Sequence, residues 1–454
     1  MNTTNLVRWI GVFLLVTFCF AGWGRPAFSD LLLGDPPTFP EHAPAPAIEE
    51  VVPKPAAVFS VDPSTREASR TFYNTYYAGA GQPAIDWAGN VAVCSAGTTA
   101  AAFKDAITLR INYYRAMAGV PADINLSSTN NAKDQEAALM MSANRALSHS
   151  PPTDWDCYSA GGAEGAGNSN LALGSYGWDA VDGYMIDPGT NNGPVGHRRW
   201  LLYPQTQTMG AGDIPPQSYP SSNALWVFDS HIWDPRPGTR DDFVGWPPPG
   251  YTPYQVVPAR WSFAYPQADF SGATVTVTKD SESVPVTPET YEGGYGENTF
   301  VWIFNGMSSW DTWQTPASDE SYQVSVNNVV IGGQARNFTY TVTVFDPEQY
   351  VTCTYAVTPQ QASFPMAGGT EIVQVSTPAG CTWEAISNNN WITVLSGQTG
   401  NGDGIVTYIV AANDTGFDRT GTMTVADRTF TIQQKGTASG GIVPLLDLLL
   451  GDDQ

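Results

Sequence analysis

Two histidines, His149 and His197, are the residues of this chain best suited to do chemistry together. His149 ends a stretch, 130–150, that we predict to be helical, and His197 lies in the Gly-containing run 194–204. Between them lies a Ser- and Asn-containing segment, 167–174, that we predict to be a loop. The chain has only four histidines, so two that frame one compact segment indicate a cleft at this place.

Such a pair supports three kinds of role. Two neutral imidazoles that face one cavity can hold a divalent metal such as zinc, with acids orienting their far nitrogens. They can instead exchange protons as a general acid and a general base near neutral pH. They can also hydrogen-bond loops together and shape the cleft, which is the interpretation we favour. The pattern requires no cofactor, and zinc at His149 and His197 is a hypothesis.

A hydrolase would need a nucleophile beside one of these histidines. Ser148, Ser150 and Ser169 are the candidates, but none lies in a Gly-x-Ser-x-Gly turn. The chain also lacks the short His-Glu-x-x-His spacing of many zinc enzymes. Because the nucleophile and the orienting acid are both unassigned, the sequence favours a role other than catalysis.

Helices with a few strands must position the histidines. The first helix is predicted from an apolar face at helical spacing, formed by Phe103, Ile107, Ile111, Tyr114 and Ala118. Gly119 and Pro121 are typical of a helix end.

A second helix is predicted over 131–147 with Asn130 as its cap, and a third helix has Ser175 as a candidate cap. A strand is predicted over 224–228. Residues 60–244 therefore predict a layered α/β domain.

The N-terminus has the pattern of a secretory signal peptide, 1–29. Arg8 precedes the short apolar run Trp9–Ala21, and Ala27-Phe28-Ser29 is a cleavage candidate. We therefore expect a protein that is secreted, extracellular or on the cell surface, with no transmembrane anchor. The net charge of −23 argues against nucleic acids and anionic membrane surfaces as partners.

Removal of the leader would leave four cysteines, which are Cys94, Cys157, Cys353 and Cys381. An even number in an exported chain suggests two disulfides, and four cysteines allow three pairings. The separation of the cysteines between domains favours Cys94–Cys157 and Cys353–Cys381.

The rest of the chain changes character several times. Residues 30–59 are rich in Pro and predict an extended linker. Residues 245–347 and 352–436 contain β-branched and aromatic runs separated by turns, which predict two all-β sandwiches. A tail, 437–454, contains the string Leu-Leu-Leu-Gly-Asp at 448–452, which also occurs at 31–35. The repeat is either a short docking element or a chance feature of two disordered tails, and we favour the second.

Several motifs follow one another along the stretch 102–230, which are Leu109–Arg115, Ala146–His149, Ser169–Ala172, Gly196–Arg199, Leu201–Pro204 and Met209–Gly212. Together they resemble the CAP superfamily of cysteine-rich secretory, antigen 5 and pathogenesis-related proteins, which has many bacterial extracellular members. The resemblance implies an α-β-α sandwich with a cleft that holds two histidines and two acids.

His149 and His197 match the two cleft histidines of that family. The acids match poorly, because Ser169, beside Asn170, replaces the glutamate of the family's Gly-Glu-Asn motif. Glu164 and Asp187 are nearby substitutes. The resemblance thus places these six residues in or near the cleft.

The stretch 353–434 resembles the BACON domain, a bacterial extracellular β-sandwich module. The motifs are Cys353–Tyr355, Cys381–Trp383, Asn390–Ile392, Arg419–Gly421 and Thr431–Gln434. The resemblance implies that a glycan or glycoprotein is bound. Trp383 and Trp391 could stack on sugars, but we expect them in the core. The middle region resembles a generic immunoglobulin- or fibronectin-like spacer.

The sequence therefore predicts a multidomain secreted protein with an α-β-α sandwich followed by two all-β sandwich domains. We expect extracellular binding, with a small or lipidic ligand or a metal in the cleft and a glycan or surface target for the β modules. The alternatives are a hydrolase that acts on peptide or cell-wall material, and an architectural surface protein.

Overall fold

The computed structural model describes residues 31–39, 59–349, 353–378 and 380–437. The predicted signal peptide and the second Leu-Leu-Leu-Gly-Asp string lie outside these residues. Within them, the helices are all too short or too polar to traverse a lipid bilayer. The molecule is multidomain, with a helix-containing N-terminal region and a large all-β C-terminal region.

The N-terminal region is built around one five-stranded sheet with the strand order β1-β3-β5-β4-β2. Its helices and strands in chain order are β1 (Leu32–Leu33), α1 (Arg66–Tyr73), α2 (Ala101–Ala118), β2 (Asn125–Leu126), α3 (Ser128–Asn144), α4 (Ala160–Gly167), β3 (Ser169–Leu173), α5 (Trp178–Ile186), α6 (Gly196–Leu201), β4 (Thr208–Ile214) and β5 (Ser222–Trp226). A π-helical turn (Asn74–Ala78) and short 3-10 turns (Val91–Val93, Thr190–Asn192) connect some of them.

Helices cover both faces of this sheet. Leu171 and Leu173 join a hydrophobic cluster with residues of α3, whereas Ala172 joins a cluster with residues of α2 and α5. Successive residues of a strand point to opposite faces, so β3 is buried throughout. A strand buried on both faces loses the alternating pattern, which explains why 167–174 was wrongly predicted to be a loop.

The first predicted helix is confirmed. Helix α2 buries Phe103, Ile107 and Ile111, and Gly119 ends it with a φ of 78°. A left-handed residue after the last turn directs its backbone N–H to carbonyl groups that have no partner within the helix. Glycine adopts that conformation at little cost.

The second predicted helix was displaced by three residues. Helix α3 spans Ser128–Asn144 rather than 131–147, because the Ser127 hydroxyl accepts a hydrogen bond from the Asn130 N–H and Arg145 adopts a left-handed φ of 53°. His149 consequently lies in the loop after α3 and not on the helix. The third helix, α5, follows Gly177 rather than a Ser175 cap.

The linker prediction was wrong for its first residues. Residues 31–39, which we call the N-terminal segment, pack on the first domain, and Leu32–Leu33 pair antiparallel with β3. Leu31 and Leu33 are buried in the core, whereas Leu32 is 52% exposed. Successive side chains of a strand point to opposite faces of the sheet, so two leucines face the core while the one between them faces outward.

The middle all-β region contains two sheets, with the strand orders β10-β9-β13-β14-β7 and β11-β12-β8-β6. Its strands are β6 (Val244–Trp246), β7 (Gly250–Pro253), β8 (Arg260–Ala264), β9 (Thr274–Lys279), β10 (Glu282–Val284), β11 (Val286–Pro288), β12 (Thr299–Phe304), β13 (Glu320–Ile331) and β14 (Gln334–Phe345), with a 3-10 turn at Tyr254–Val256. Buried side chains of both sheets form one hydrophobic cluster.

The last all-β region also contains two sheets, with the orders β15-β17-β21-β19 and β16-β23-β22-β18-β20. Its strands are β15 (Ala356–Thr358), β16 (Gln361–Phe364), β17 (Gly369–Ser376), β18 (Thr382–Ser387), β19 (Ile392–Ser396), β20 (Thr399–Asn401), β21 (Gly404–Val410), β22 (Arg419–Val425) and β23 (Arg428–Gln434). Trp383 is 5% exposed and contributes to the core of this region.

Two disulfides form with the predicted pairing, Cys94–Cys157 and Cys353–Cys381. They cross-link residues that are 63 and 28 positions apart, respectively. Closing loops of these lengths removes conformational entropy from the unfolded chain, which stabilises the folded state.

We expect Cys94→Ala/Cys157→Ala to lower the free energy of unfolding by about 4 kcal/mol, and Cys353→Ala/Cys381→Ala to lower it by slightly less. Urea unfolding followed by tryptophan fluorescence measures both. A reducing agent should lower the stability of the wild type to that of a variant with all four cysteines replaced by alanine, and leave that variant unchanged. Equal stability of wild type and variants in oxidising buffer would contradict the prediction.

Candidate ligand groove in the first domain

His149 joins the N-terminal segment to the first domain. Its Nδ1 lies 2.7 Å from the carbonyl oxygen of Ala166, and its Nε2 lies 2.6 Å from the carbonyl oxygen of Asp35. A carbonyl oxygen only accepts, so each contact is a hydrogen bond where that ring nitrogen carries a hydrogen. Both nitrogens of His149 are thus engaged with the protein itself.

His197 makes a buried pair with Asp187. The His197 Nδ1–H donates to Asp187 Oδ1 over 2.8 Å, and Asp187 Oδ2 accepts the His197 backbone N–H over 2.9 Å. Both side chains are fully buried, and the Tyr184 ring stacks on the imidazole at 5.5 Å. Because Nδ1 faces the carboxylate, Nε2 is the ring nitrogen that points away from Asp187.

The local fold explains why Asp187 reaches His197. Asp187 follows the last residue of α5 in a left-handed conformation with a φ of 53°, and His197 lies in the first turn of α6. The carboxylate therefore caps the start of α6 by accepting backbone N–H groups of His197 and Arg198. A negative charge at a helix N-terminus is favourable.

Of the other residues expected in the cleft, Asn170 and Ser169 are buried, whereas Glu164 is exposed. Asn170 is buried, and its Nδ2 donates to the carbonyl oxygen of His197 over 3.1 Å. Ser169 is buried and donates to Asp134 Oδ1 over 2.8 Å. Glu164 pairs with Lys133, and its side chain is 52% exposed. The structure thus brings Asp187 and Asn170 to His197, and turns Glu164 toward the surface.

Sequence reasoning missed two buried carboxyl groups and one half-buried lysine. Burial raises the pKa of the Asp134 carboxyl well above its usual range, although Ser169 and the Trp226 N–H donate to it. Burial also raises the pKa of Asp213 and lowers that of Lys104, whose ammonium donates to the Ala211 carbonyl. No fixed spacing connects these residues, because they come from three separate elements.

The Met-Gly-Ala-Gly motif of β4 allows the sheet to approach α3. A Cβ at Gly212 would lie 2.0 Å from the backbone carbon of Asp134, and a Cβ at Gly210 would lie 2.7 Å from Asp134 Oδ2. Only glycine fits at these two positions, since neither the helix backbone nor the buried carboxylate has room to move. The motif therefore serves packing.

The N-terminal segment runs through a groove between the loop that carries His149 and helix α6, which carries His197. We define this groove by β3, His149, Gly196 and Trp200. Asp35 lies at His149, and a Cβ at Gly196 would lie 2.4 Å from Pro36 Cγ.

Beyond these contacts, Trp200 holds the end of the N-terminal segment. Its Nε1–H donates to the Pro37 carbonyl over 2.6 Å, and its indole meets the Phe39 ring edge-on at 4.6 Å. The groove is therefore filled from end to end by the chain itself.

The arrangement does not fit a metal shared by the histidines. His149 uses both ring nitrogens on carbonyl oxygens, and the described part of the chain holds no group of three or more His, Cys, Asp or Glu side chains suited to a metal ion. Tetrahedral zinc needs three or four such ligands.

The described residues also show no serine hydroxyl hydrogen-bonded to either imidazole. Ser169 donates to Asp134, and Ser148 Oγ accepts the Ser150 N–H. His197 Nε2 has no hydrogen-bond partner among the described residues. A small cavity lies elsewhere, lined by Arg198, Tyr203 and residues of the middle region rather than by the histidines.

We expect Asp187→Asn to lower the free energy of unfolding by about 2–3 kcal/mol, because a hydrogen bond to a buried carboxylate is lost while the backbone conformation remains accessible to Asn. Urea unfolding checks this. Glu164→Gln is the matched control, with an expected change below about 0.5 kcal/mol because its ion pair is exposed. Similar losses for the two variants would contradict the expectation.

Two family models match the chain. Residues 109–228 match CAP, the cysteine-rich secretory protein family, and residues 382–435 match BACON, described as "Putative binding domain, N-terminal". No curated protein matches the chain.

Solved structures match the chain only loosely. A Bacteroides ovatus GH5 xyloglucanase in complex with a heptasaccharide is 26% identical over 18% of this chain and 19% of its own length, with a TM-score of 0.17. Domains 4 and 5 of the S-layer protein SbsC are 13% identical over 36% and 98%, with a TM-score of 0.17.

The E. coli chaperone DraB is 9% identical over 41% of this chain and 91% of its own, with a TM-score of 0.19. Scores this low carry no argument about function. The family matches, together with the motifs around His149 and His197, show that the chain contains a CAP domain at 109–228 and a BACON domain at 382–435.

Proposed function

We propose that this protein is an extracellular binding protein whose CAP-domain groove takes an extended, apolar peptide. CAP and BACON domains fit extracellular binding in general. The observation that carries the finer proposal is the N-terminal segment, which already occupies the groove as an extended peptide would. The segment is then a built-in ligand that any other ligand must displace.

The first half of the groove recognises a strand. Leu32 and Leu33 pair with Leu173 and Ala172 through the backbone, which depends little on sequence. Leu31 and Leu33 supply specificity, because both enter the hydrophobic core of the domain. Adding a strand to a sheet edge, with pockets for alternate side chains, is a common mode of peptide recognition.

The second half of the groove recognises a proline-containing stretch. Pro36 and Pro37 are buried, and Trp200 donates to the carbonyl of Pro37. Proline restricts the peptide to extended conformations before binding, which reduces the entropy lost on docking. The Phe39 ring then packs among Trp200, Tyr203 and Trp233.

The histidines act in this proposal by positioning. His149 donates to the peptide carbonyl at Asp35, and the His197–Asp187 pair fixes the start of α6, which carries Gly196 and Trp200. A hydrolase acting on peptide or cell-wall material is less well supported. The His197 imidazole is 0% exposed, and His149 uses both ring nitrogens on carbonyl oxygens. Among the described residues, neither imidazole has a hydroxyl nucleophile hydrogen-bonded to it. The small or lipidic ligand suggested by the resemblance would compete for the same groove.

For the BACON domain we propose a glycan or glycoprotein target. Trp383 is committed to the core, where its Nε1–H donates to the Gly402 carbonyl, so sugar stacking would fall to Trp391. Trp391 is half-buried under the Arg419 guanidinium, 4.2 Å from the ring centroid. A glycan array probed with the full chain tests this part, and an array without signal would contradict it.

The groove is tested with a protease site inserted within residues 40–58 of the chain that begins at Asp30. The protein folds first and is then cut, after which the N-terminal segment is removed by dialysis. We expect the cut protein to bind a labelled peptide of residues 30–39 by fluorescence polarisation, and the uncut protein to bind little, because its own segment has the advantage of high effective concentration.

Matched peptides show whether the binding is specific. Leu33→Asp should weaken binding by more than about tenfold, since it places a charge in the core, whereas Leu32→Asp should change it by less than about threefold. Gly196→Ala in the protein should also weaken binding, because the new methyl group meets Pro36. Equal binding of the Leu33→Asp and Leu32→Asp peptides would overturn the proposed function.

A further inference from the structure

The six residues Asp30–Asp35 recur without change as Asp447–Asp452, in the sequence Asp-Leu-Leu-Leu-Gly-Asp. The first of these copies provides the strand part of the N-terminal segment. We propose that residues 447–452 of one copy bind in the groove of a second copy, in place of residues 30–35, and so join chains head to tail. This inference rests on the proposed function of the groove.

The repeat preserves the contacts that the first copy makes. Leu448 and Leu450 correspond to Leu31 and Leu33, the two side chains that enter the core, and Leu449 corresponds to the exposed Leu32. The backbone pairing with β3 needs no particular side chain. A chance apolar string would have no reason to repeat the polar end as well.

That polar end also has partners in the groove. The Asp35 carbonyl accepts from His149 Nε2, and its carboxylate accepts from Asn191 Nδ2 over 3.2 Å. Asp452 brings both acceptors at the same spacing from the leucines. Each of these hydrogen bonds, like the strand pairing, therefore has an equivalent donor or acceptor in the second string.

The two strings differ in the residues that come after them. Asp453 and Gln454 stand where Pro36 and Pro37 follow the first string. The second string thus lacks the two buried prolines, one of which lies against Gly196, and it binds more weakly. The N-terminal segment holds the groove while it is attached, and exchange occurs when it leaves.

The position of the last region favours a second copy over the same chain. Gly380 lies against the Arg66 side chain of the first domain, and the pairs Ala385–Val425 and Val425–Arg428 are at that end of the sheet. Strand β23 runs from there toward Gln434, which pairs with Arg419 at the opposite end. The chain therefore leaves the last region about 20 Å from the end that faces the first domain, directed away from it.

Such a contact joins two different surfaces. It generates a closed ring when the rotation between successive copies closes, and an open chain of subunits when it does not. The edge of β3 is the kind of unpaired strand that accepts a foreign strand when its own partner is gone.

The experiment uses the full chain with the protease site in 40–58, cut and stripped of its N-terminal segment. Light scattering after gel filtration should give masses of two or more chains that rise as the concentration increases from about 1 µM to about 100 µM. Leu450→Asp should keep the cut protein monomeric, and Leu449→Asp, the matched control, should leave assembly intact. Added peptide 30–39 should dissolve the assemblies, because it binds more than about tenfold tighter than a peptide of residues 445–454.

Each other outcome overturns the inference in a recognisable way. A cut protein that stays monomeric and binds labelled peptide 30–39 equally with and without Leu450→Asp has an empty groove, which contradicts the inference and leaves the proposed function standing. A monomer whose peptide binding rises with Leu450→Asp has its own tail in the groove, which contradicts the role of a second copy. Failure to bind peptide 30–39 at all would remove the proposed function as well.

Discussion

The pairing of Leu32 and Leu33 with β3 completes the sheet of the first domain. Without it, β3 would be the edge of the sheet, with unpaired N–H and C=O groups beside two open hydrophobic pockets. An edge of this kind attracts other strands, and proteins usually cover it. Here the N-terminal segment covers the edge, and it lies at one end of the domain rather than between two of its other elements. Under the proposed function, this cover is displaced and the same surface binds a peptide.

Helix α6 connects this groove to the rest of the molecule through three consecutive residues. His197 faces Asp187 beside the groove, while Arg198 donates to the Arg260 carbonyl and to Ser262 in the middle region. Arg199 donates to the Glu297 and Glu292 carbonyls. Both guanidiniums are buried, and burial lowers the pKa of Arg198 to about 9. Buried cations with so many acceptors hold neighbouring elements in one arrangement, so the groove is fixed relative to the middle region.

Sequence patterns located the site better than they described it. The apolar face of α2, its glycine stop and the two disulfides were predicted from local patterns, and the motifs around His149 and His197 indicated the CAP domain. The strand β3 was missed because burial on both faces removed its alternation, and α4 was missed because Gly-rich sequences have low helix propensity. The end of α3 was placed too late because helical residues continue beyond Arg145, where the left-handed turn occurs.

Local sequence was enough to establish which residues belong to this part of the molecule, since motif spacing, helical periodicity and cysteine count depend on neighbours along the chain. The hydrogen-bond partners of the two histidines, in contrast, were visible only in the folded molecule. The partner of His149 is 114 residues away in a stretch that resembles a linker, and Asp187 reaches His197 only because two helix ends meet. Contacts between distant segments are fixed by packing, and local sequence carries almost no record of them. In the folded protein, His149 hydrogen-bonds the segment that fills the groove, and His197 pairs with Asp187 beside it.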